Sequence, residues 1–276
     1  MSDRTGASRR RRSRGAARTL CIDIGGTGIK AAVVDPAGAM LTEQVRTPTP
    51  RPATPDSVLD AIATLAGTLS PADRISIGFP GVIRDGVVGS AVNLDDAAWR
   101  GFDLAGAAQA RLGRPVRVLN DADVQGLGTV AGRGIECVLT LGTGFGFALF
   151  KDGRLLPHLE LGQHPIRRGK TYDRYLGTAA LKRKGREKWN RRVRHAVEVV
   201  RTFVGFDTLH LGGGNAKKVD GDLPPDVRIA SNRAGITGGV RLWDAALDGH
   251  FPPQRHAAGT EEQDDTAHPD SPAEAP

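Results

Sequence analysis

Two stretches of this chain repeat one design, and together they narrow the possible folds more than any other feature. In the first, the apolar run Leu20, Cys21, Ile22 and Ile24 passes through Asp23 into Gly25-Gly26-Thr27, and Ile29 to Val34 resumes an apolar run. In the second, Cys137 to Leu141 leads into Gly142-Thr143-Gly144, and Phe145 to Phe150 follows. Each reads as a β-hairpin closed by a tight glycine turn. Thr143 comes 118 positions after Gly25, so the pattern predicts an internal duplication with both turns facing one cleft. Without a Cβ, the turn glycines let their amides approach an anion closely, and the threonines add hydroxyl donors. Asp23 would repel a bare phosphate there unless a cation or its water shell lay between them, so the first turn reads as a metal-phosphate cradle.

Around these hairpins, strand and helix patterns alternate. Met40 to Arg46 reads as a third strand, and the Pro-rich Thr47 to Pro55 as an extended link. Thr54 or Asp56 then caps a helix to Leu69 with Val58, Leu59, Ile62 and Leu65 inward. Ile75 to Phe79 is a short strand ending at Pro80-Gly81, which opens a hairpin through Val88. A helix over Asp103 to Leu112 leads into the strand Val116 to Leu119, and Asp121 or Asp123 caps a helix towards Val130. Arg167 to Thr202 is basic and helical by pattern, with Val193, Ala196, Val197, Val200 and Phe203 on an inner face and Lys182 to His195 supplying a charged outer one. Thr208 to Leu211 and Val227 to Ala230 are strands, and Asn232 to Leu247 is expected to close the chain as a helix.

A chain of 276 residues with 36 glycines and 5% aromatic residues fits a glycine-turned α/β protein. No apolar run approaches the roughly 20 residues that span a bilayer, and no secretory signal precedes the first strand. Cys21 and Cys137 lie in strand-like apolar runs and give no disulfide framework, so a reducing cytoplasm is expected. Residues 1–19 hold seven arginines against one aspartate, whereas residues 251–276 hold six acids against one arginine. Residues 1–18, including Arg9 to Arg14, and 251–276 are therefore read as disordered tails. They nearly cancel, so the body keeps about +6 of the net +7, which favours polyanionic partners.

Phosphoryl transfer to an alcohol needs amides and a cation around the donor, an acceptor held in line, and a carboxylate for the hydroxyl proton. Asp121, just past a buried strand, is the best-placed carboxylate. Asn93 and Asn120 can both donate to and accept from sugar hydroxyls, Glu160 can take two vicinal hydroxyls, and Gln163 or His164 stand beside it.

Six motifs then occur in order: DIGGT with Lys30, FPG at Phe79, VLNDAD at Val118, LTLGTGFG at Leu139, LGGGNAKK at Leu211 and AGITGG at Ala234. Together they resemble the ROK family of sugar kinases, and within it the branch of polyphosphate glucokinases and their proteobacterial relatives. The resemblance implies an actin/hexokinase-like α/β fold, with two ribonuclease-H-like domains at 19–119 and 120–250 closing on a cleft. It implies Asp121 as general base on the sugar 6-hydroxyl and Asn93, Asn120 and Glu160 as sugar ligands, with Gln163 and His164 adjacent. It implies Asp23 as the Mg²⁺ partner through water, and Gly25, Gly26, Thr27, Gly142, Thr143, Gly144, Gly213 and Gly214 around donor phosphates, with Lys30, Lys217 and Lys218 as further charges. Glucose or another hexose would be the acceptor, polyphosphate or ATP the donor, and a homodimer the assembly. A sugar-sensing regulator of the same family needs a winged helix before the core; only 18 residues precede it here, so nucleic acid is not expected as a partner. Gln163 stands where the family's Glu-x-Gly-His motif has histidine, and the cysteine-rich zinc motif of many members is absent.

Overall fold

A computed structural model describes residues 16–221 and 223–251. Strands β1 (Thr19–Ile24) and β2 (Ile29–Val34) form the first hairpin, with Asp23 opposite Lys30. Strand β3 (Val45–Thr47) pairs with β2. Helix α1 (Pro55–Gly67) starts where Thr54 Oγ1 accepts from Ser57 N, and it buries Val58, Leu59, Ile62 and Leu65. Strand β4 (Arg74–Phe79) runs parallel to β1, and β5 (Val82–Arg84) and β6 (Val87–Ser90) form a separate small hairpin. After α2 (Asp96–Trp99) and α3 (Leu104–Leu112), β7 (Val116–Asn120) pairs in parallel with β4.

Helix α4 (Asp121–Leu127) joins this half to the next. There β8 (Ile135–Leu141) and β9 (Phe145–Lys151) form the second hairpin and β10 (Arg154–Leu155) extends it. A small hairpin, β11 (Pro165–Arg167) and β12 (Lys170–Thr171), precedes α5 (Tyr172–Leu176), α6 (Thr178–Lys184) and α7 (Arg186–Val204). Strands β13 (Thr208–Gly212) and β14 (Val227–Ile229) complete the sheet, and α8 (Ala234–Thr237) leads into two 3₁₀ segments, Gly238–Trp243 and Ala245–His250.

The sheet orders are β3-β2-β1-β4-β7 and β10-β9-β8-β13-β14. Each holds an antiparallel hairpin flanked by parallel strands, so the second repeats the first strand for strand. Each half has its own core: Ile24, Ile62, Ile77, Phe79 and Trp99 in the first, and Leu139, Phe147, Trp189, Val193 and Leu211 in the second. Helix α4 is buried between the halves, with Ala122, Val124 and Leu127 packed with Phe150 and Leu242. Gly78 and Gly146 admit it: a Cβ on Gly146 would lie 2.8 Å from Ala122 Cβ, and one on Gly78 3.4 Å from Asp121 Cα.

Several sequence expectations change in detail. The third strand begins at Val45, and Met40 forms only a bridge to Val34. The cap of α4 is Asn120, whose Oδ1 accepts from Ala122 N, and neither Asp121 nor Asp123 fills that place. The basic region divides into three helices at Gly177 and Gly185, and Phe203 is 70% exposed, since α7 turns Val193, Ala196, Val197 and Val200 inward and not Phe203. The closing helix is one α-turn followed by 3₁₀ structure, tightly laid on the first half: a Cβ on Gly239 would lie 2.8 Å from Cys21 Sγ. There Ser76 Oγ donates to Gly239 O (2.7 Å), Arg117 Nη1 donates to Leu242 O (2.7 Å), and the Arg117 guanidinium stacks over Trp243. The final segment of the second half thus anchors to the first sheet. The expectations for Arg9 to Arg14 and for 252–276 lie outside the described residues. Among the described residues no helix is long and apolar enough to cross a membrane.

Candidate active site

The duplication brings both glycine turns to one polar cleft of about 630 Å³. Side chains hydrogen-bonded to their carbonyls brace the turns and fix their backbones. Arg51 Nη2 donates to Gly26 O (2.6 Å), while Thr178 Oγ1 and Asn215 Nδ2 donate to Gly142 O (2.7 and 3.2 Å). Asp23, at the end of β1, is paired with Lys30 Nζ at 2.9 Å, and both line the cleft.

Asp121 stands at the first position of α4, between the two sheets. The cap explains its placement: Asn120 holds the helix start through Oδ1 and donates from Nδ2 to Gly81 O (3.0 Å), tying α4 to the loop after β4. Ala122 N donates to Asp121 Oδ1 at 2.9 Å. Burial, followed by the nearby charge of Asp23 and lesser repulsion from Glu160 and Asp123, pushes the Asp121 carboxyl up to about 8, against the lowering effect of the Ala122 amide. A carboxylate tuned this far towards neutrality suits a general base.

Glu160 leads into the 3₁₀ turn Leu161–Gln163. Gln163 Nε2 donates to Asp173 Oδ2 (2.8 Å), and Phe145 N, just after the second glycine turn, donates to Asp173 Oδ1 (2.6 Å). Asn93, from the first half, comes close by: a Cβ on Gly144 would lie 2.8 Å from Asp173 Oδ1 and 2.9 Å from Asn93 Nδ2. Burial raises the Asp173 pKa despite these donors.

The cleft therefore gathers Asp23, Gly25, Gly26, Thr27, Lys30, Asn93, Asn120, Asp121, Gly142, Thr143, Gly144, Glu160, Gln163, Gly213, Gly214 and Lys218. It does not include His164 or Lys217, both exposed outside it. His164 turns its backbone into the small hairpin, where its carbonyl accepts from Tyr172 N, and the one-position shift from Gln163 carries it out of the cleft. In the short 3₁₀ turn Ala216–Lys218 it is Lys218 that lines the cleft, its Nζ donating to Asn215 Oδ1 (3.0 Å).

Sequence reading missed Arg46, Gln125, Asn215 and His158, which also line the cleft. Of these His158 is the most consequential: Nδ1 lies 3.0 Å from Asp123 Oδ2 and Nε2 3.5 Å from Glu160 Oε2. It lies in an irregular segment two residues before Glu160, where no regular element signals a shared face.

The ROK family profile matches residues 19–160. Polyphosphate glucokinase of Mycobacterium leprae (strain TN) is 34% identical over 258 residues, covering 86% of this chain and 76% of that protein. The polyphosphate glucokinase of Mycobacterium tuberculosis (strain ATCC 25618 / H37Rv) is 33% identical, covering 79% and 88%. The crystal structure of inorganic polyphosphate/ATP-glucomannokinase from Arthrobacter sp. strain KM matches with a TM-score of 0.76 at 37% identity, over 82% of this chain and 97% of that one. A ROK family glucokinase from Streptomyces griseus in complex with glucose and AMPPNP matches in fold, with a TM-score of 0.69 at 21% identity over 82% and 98%.

Proposed function

We infer that this chain, which belongs to the ROK family, is a glucokinase, a phosphotransferase acting on a hydroxyl acceptor. The observation that carries the residue assignment is Asp121 at the head of α4, facing a cleft walled by both glycine turns. In this reading Asp121 takes the proton of the sugar 6-hydroxyl as O6 bonds to the terminal phosphorus and the bridging P–O bond to the rest of the donor breaks. Asn93, Asn120, Glu160 and Gln163 hold the sugar. Gly25, Gly26, Thr27, Gly142, Thr143, Gly144, Gly213 and Gly214 border the donor phosphates, with Lys30 and Lys218 adding charge. His164 and Lys217 have no part in it. The two halves, 19–119 and 120–250, act as lobes around the cleft.

Among the described residues no three His, Cys, Asp or Glu side chains cluster to cage a metal. Of the cleft-lining carboxylates, Asp23 at the first glycine turn fits Mg²⁺ held mostly by water and phosphate oxygens. Bound there, Mg²⁺ would neutralise donor charge; Asp23 would hold its water shell, and Lys30 would add positive charge beside the donor.

Polyphosphate as donor is supported by the names of the relatives and by charge. Lys182, Arg183, Lys184, Arg186 and Lys188 are all exposed around the α6–α7 junction. ATP is the alternative donor. A second hexose acceptor is supported by Gln163 in the place of histidine and by the glucomannokinase likeness. A homodimer in the cytoplasm completes the proposal. Purified protein is assayed with glucose and Mg²⁺, with polyphosphate or ATP, reading glucose 6-phosphate. Turnover with polyphosphate is expected; turnover with ATP alone would overturn the donor assignment, and none with either donor would overturn the reading of glucose.

A further inference from the structure

Asp121, Glu160 and Asp23 line the cleft, and between Glu160 and the buried Asp123 stands His158. Its side chain is 13% exposed and borders the cavity. On one side Nδ1 meets Asp123 Oδ2 at 3.0 Å; Asp123 is 2% exposed on α4, and its other oxygen has no partner. On the other, Nε2 faces Glu160 Oε2 at 3.5 Å, an ionic contact too long for a good hydrogen bond, and Nε2 has no hydrogen-bond partner. A buried donor left in this state has an unmet desolvation cost that a small shift of Glu160 would relieve.

We propose that His158 is a positioning residue, an imidazolium anchored on Asp123 that holds Glu160 in place for the sugar and closes on it when sugar binds. The inference rests on the glucokinase reading above. It gives Asp123 a function as well: two residues beyond the base on α4, it fixes the far side of the imidazole. The sugar-binding carboxylate is thereby tied to the helix that carries the base, although the two are 39 positions apart in the chain. Gln163, whose Nε2 is committed to Asp173, does not reach Glu160 in this role.

The charge state agrees with this geometry. Burial works against the charged ring, but the hydrogen bond to Asp123 and the charges of Asp123 and Glu160 outweigh it and raise His158 to about 10. The groups facing the pair are His158, Asp123, Glu160, Asp121 and Asp173, with His250 acting on Asp123 from the C-terminal segment. Removing the imidazolium leaves Glu160 and Asp123 as uncompensated neighbours, so that pair takes up a proton more readily. Removing Asp123 leaves a histidine whose pKa falls.

The test compares His158→Gln and Asp123→Asn with the wild type, measuring the KM for glucose, the KM for the donor and kcat from pH 6 to 9, with direct glucose binding by calorimetry. In His158→Gln the glucose KM rises about tenfold and worsens as pH falls, while the donor KM holds. In Asp123→Asn the glucose KM worsens as pH rises, the opposite sign. A structural role alone would not produce opposite slopes. Variants with a wild-type glucose KM at every pH, or with glucose and donor KM rising together at every pH, would overturn the inference. Wild-type protein that neither binds nor phosphorylates glucose would overturn the functional reading and this inference with it; wild-type activity beside pH-flat variants overturns this one alone.

Discussion

The two hairpins occupy equivalent places in two sheets of the same order, yet their chemistry differs at the position before the turn. In the first, Asp23 stands opposite Lys30; in the second, Thr140 stands opposite Gly146. The first pair is charged and open to the cleft. In the second, the missing side chain of Gly146 makes room for α4, since a Cβ there would lie 2.8 Å from Ala122 Cβ. Duplication supplied two similar cradles, and divergence gave one the charge and the other the close contact that seats the helix carrying Asp121.

Asp121 lies where these two uses meet, so the largest expected effect comes from changing it. Asp121→Asn should lower turnover by about 10² to 10⁴, checked by steady-state rates. Because burial and neighbouring carboxylates raise the folded-state pKa to about 8, the ionised carboxyl is disfavoured by the fold. The stability this group gives is complete below its unfolded pKa and is lost as pH rises through about 8. Asp121→Asn should therefore melt above the wild type at pH 9, with the difference vanishing near pH 4; the melting curves at the two pH values decide it.

A second test breaks the comparison on the packing side. Gly146→Ala should destabilise by about 1–3 kcal/mol, because its methyl meets Thr140 and Ala122, whereas Lys30→Ala at the equivalent place should cost less than about 1 kcal/mol. Urea unfolding of both variants measures it, and equal losses would show that the hairpins have not divided these duties.

The smallest effect sharpens the charged side. Asp23 is the largest neighbouring charge raising Asp121, so Asp23→Asn should move the acid limb of kcat/KM to lower pH. It should also weaken donor use in Mg²⁺ by about tenfold, the scale of one charged hydrogen bond. The same limb in a Thr140→Ala variant should stay in place.

Much of the fold was legible because it is locally encoded. Glycine turns between apolar runs set both hairpins, Thr54 and Asp103 cap their helices through neighbouring amides, and Gly113 with φ 64° ends α3. The edges of Met40 and of the closing segment were misread for the opposite reason. Whether 238–250 is α-helix or 3₁₀ depends on how closely Gly238 and Gly239 approach Val124 and Cys21, residues more than a hundred positions away.

The site divides in the same way. By itself the sequence determined which turns could face phosphate and which carboxylate follows the buried strand, since backbone sterics and strand ends act over a few residues. Only the tertiary structure decided that Gln163 is held by Asp173, that His164 and Lys217 leave the cleft, and that His158 stands between Asp123 and Glu160. These depend on distances between side chains brought together by packing, and a hydrogen bond that weakens within half an ångström is not encoded by spacing along the chain.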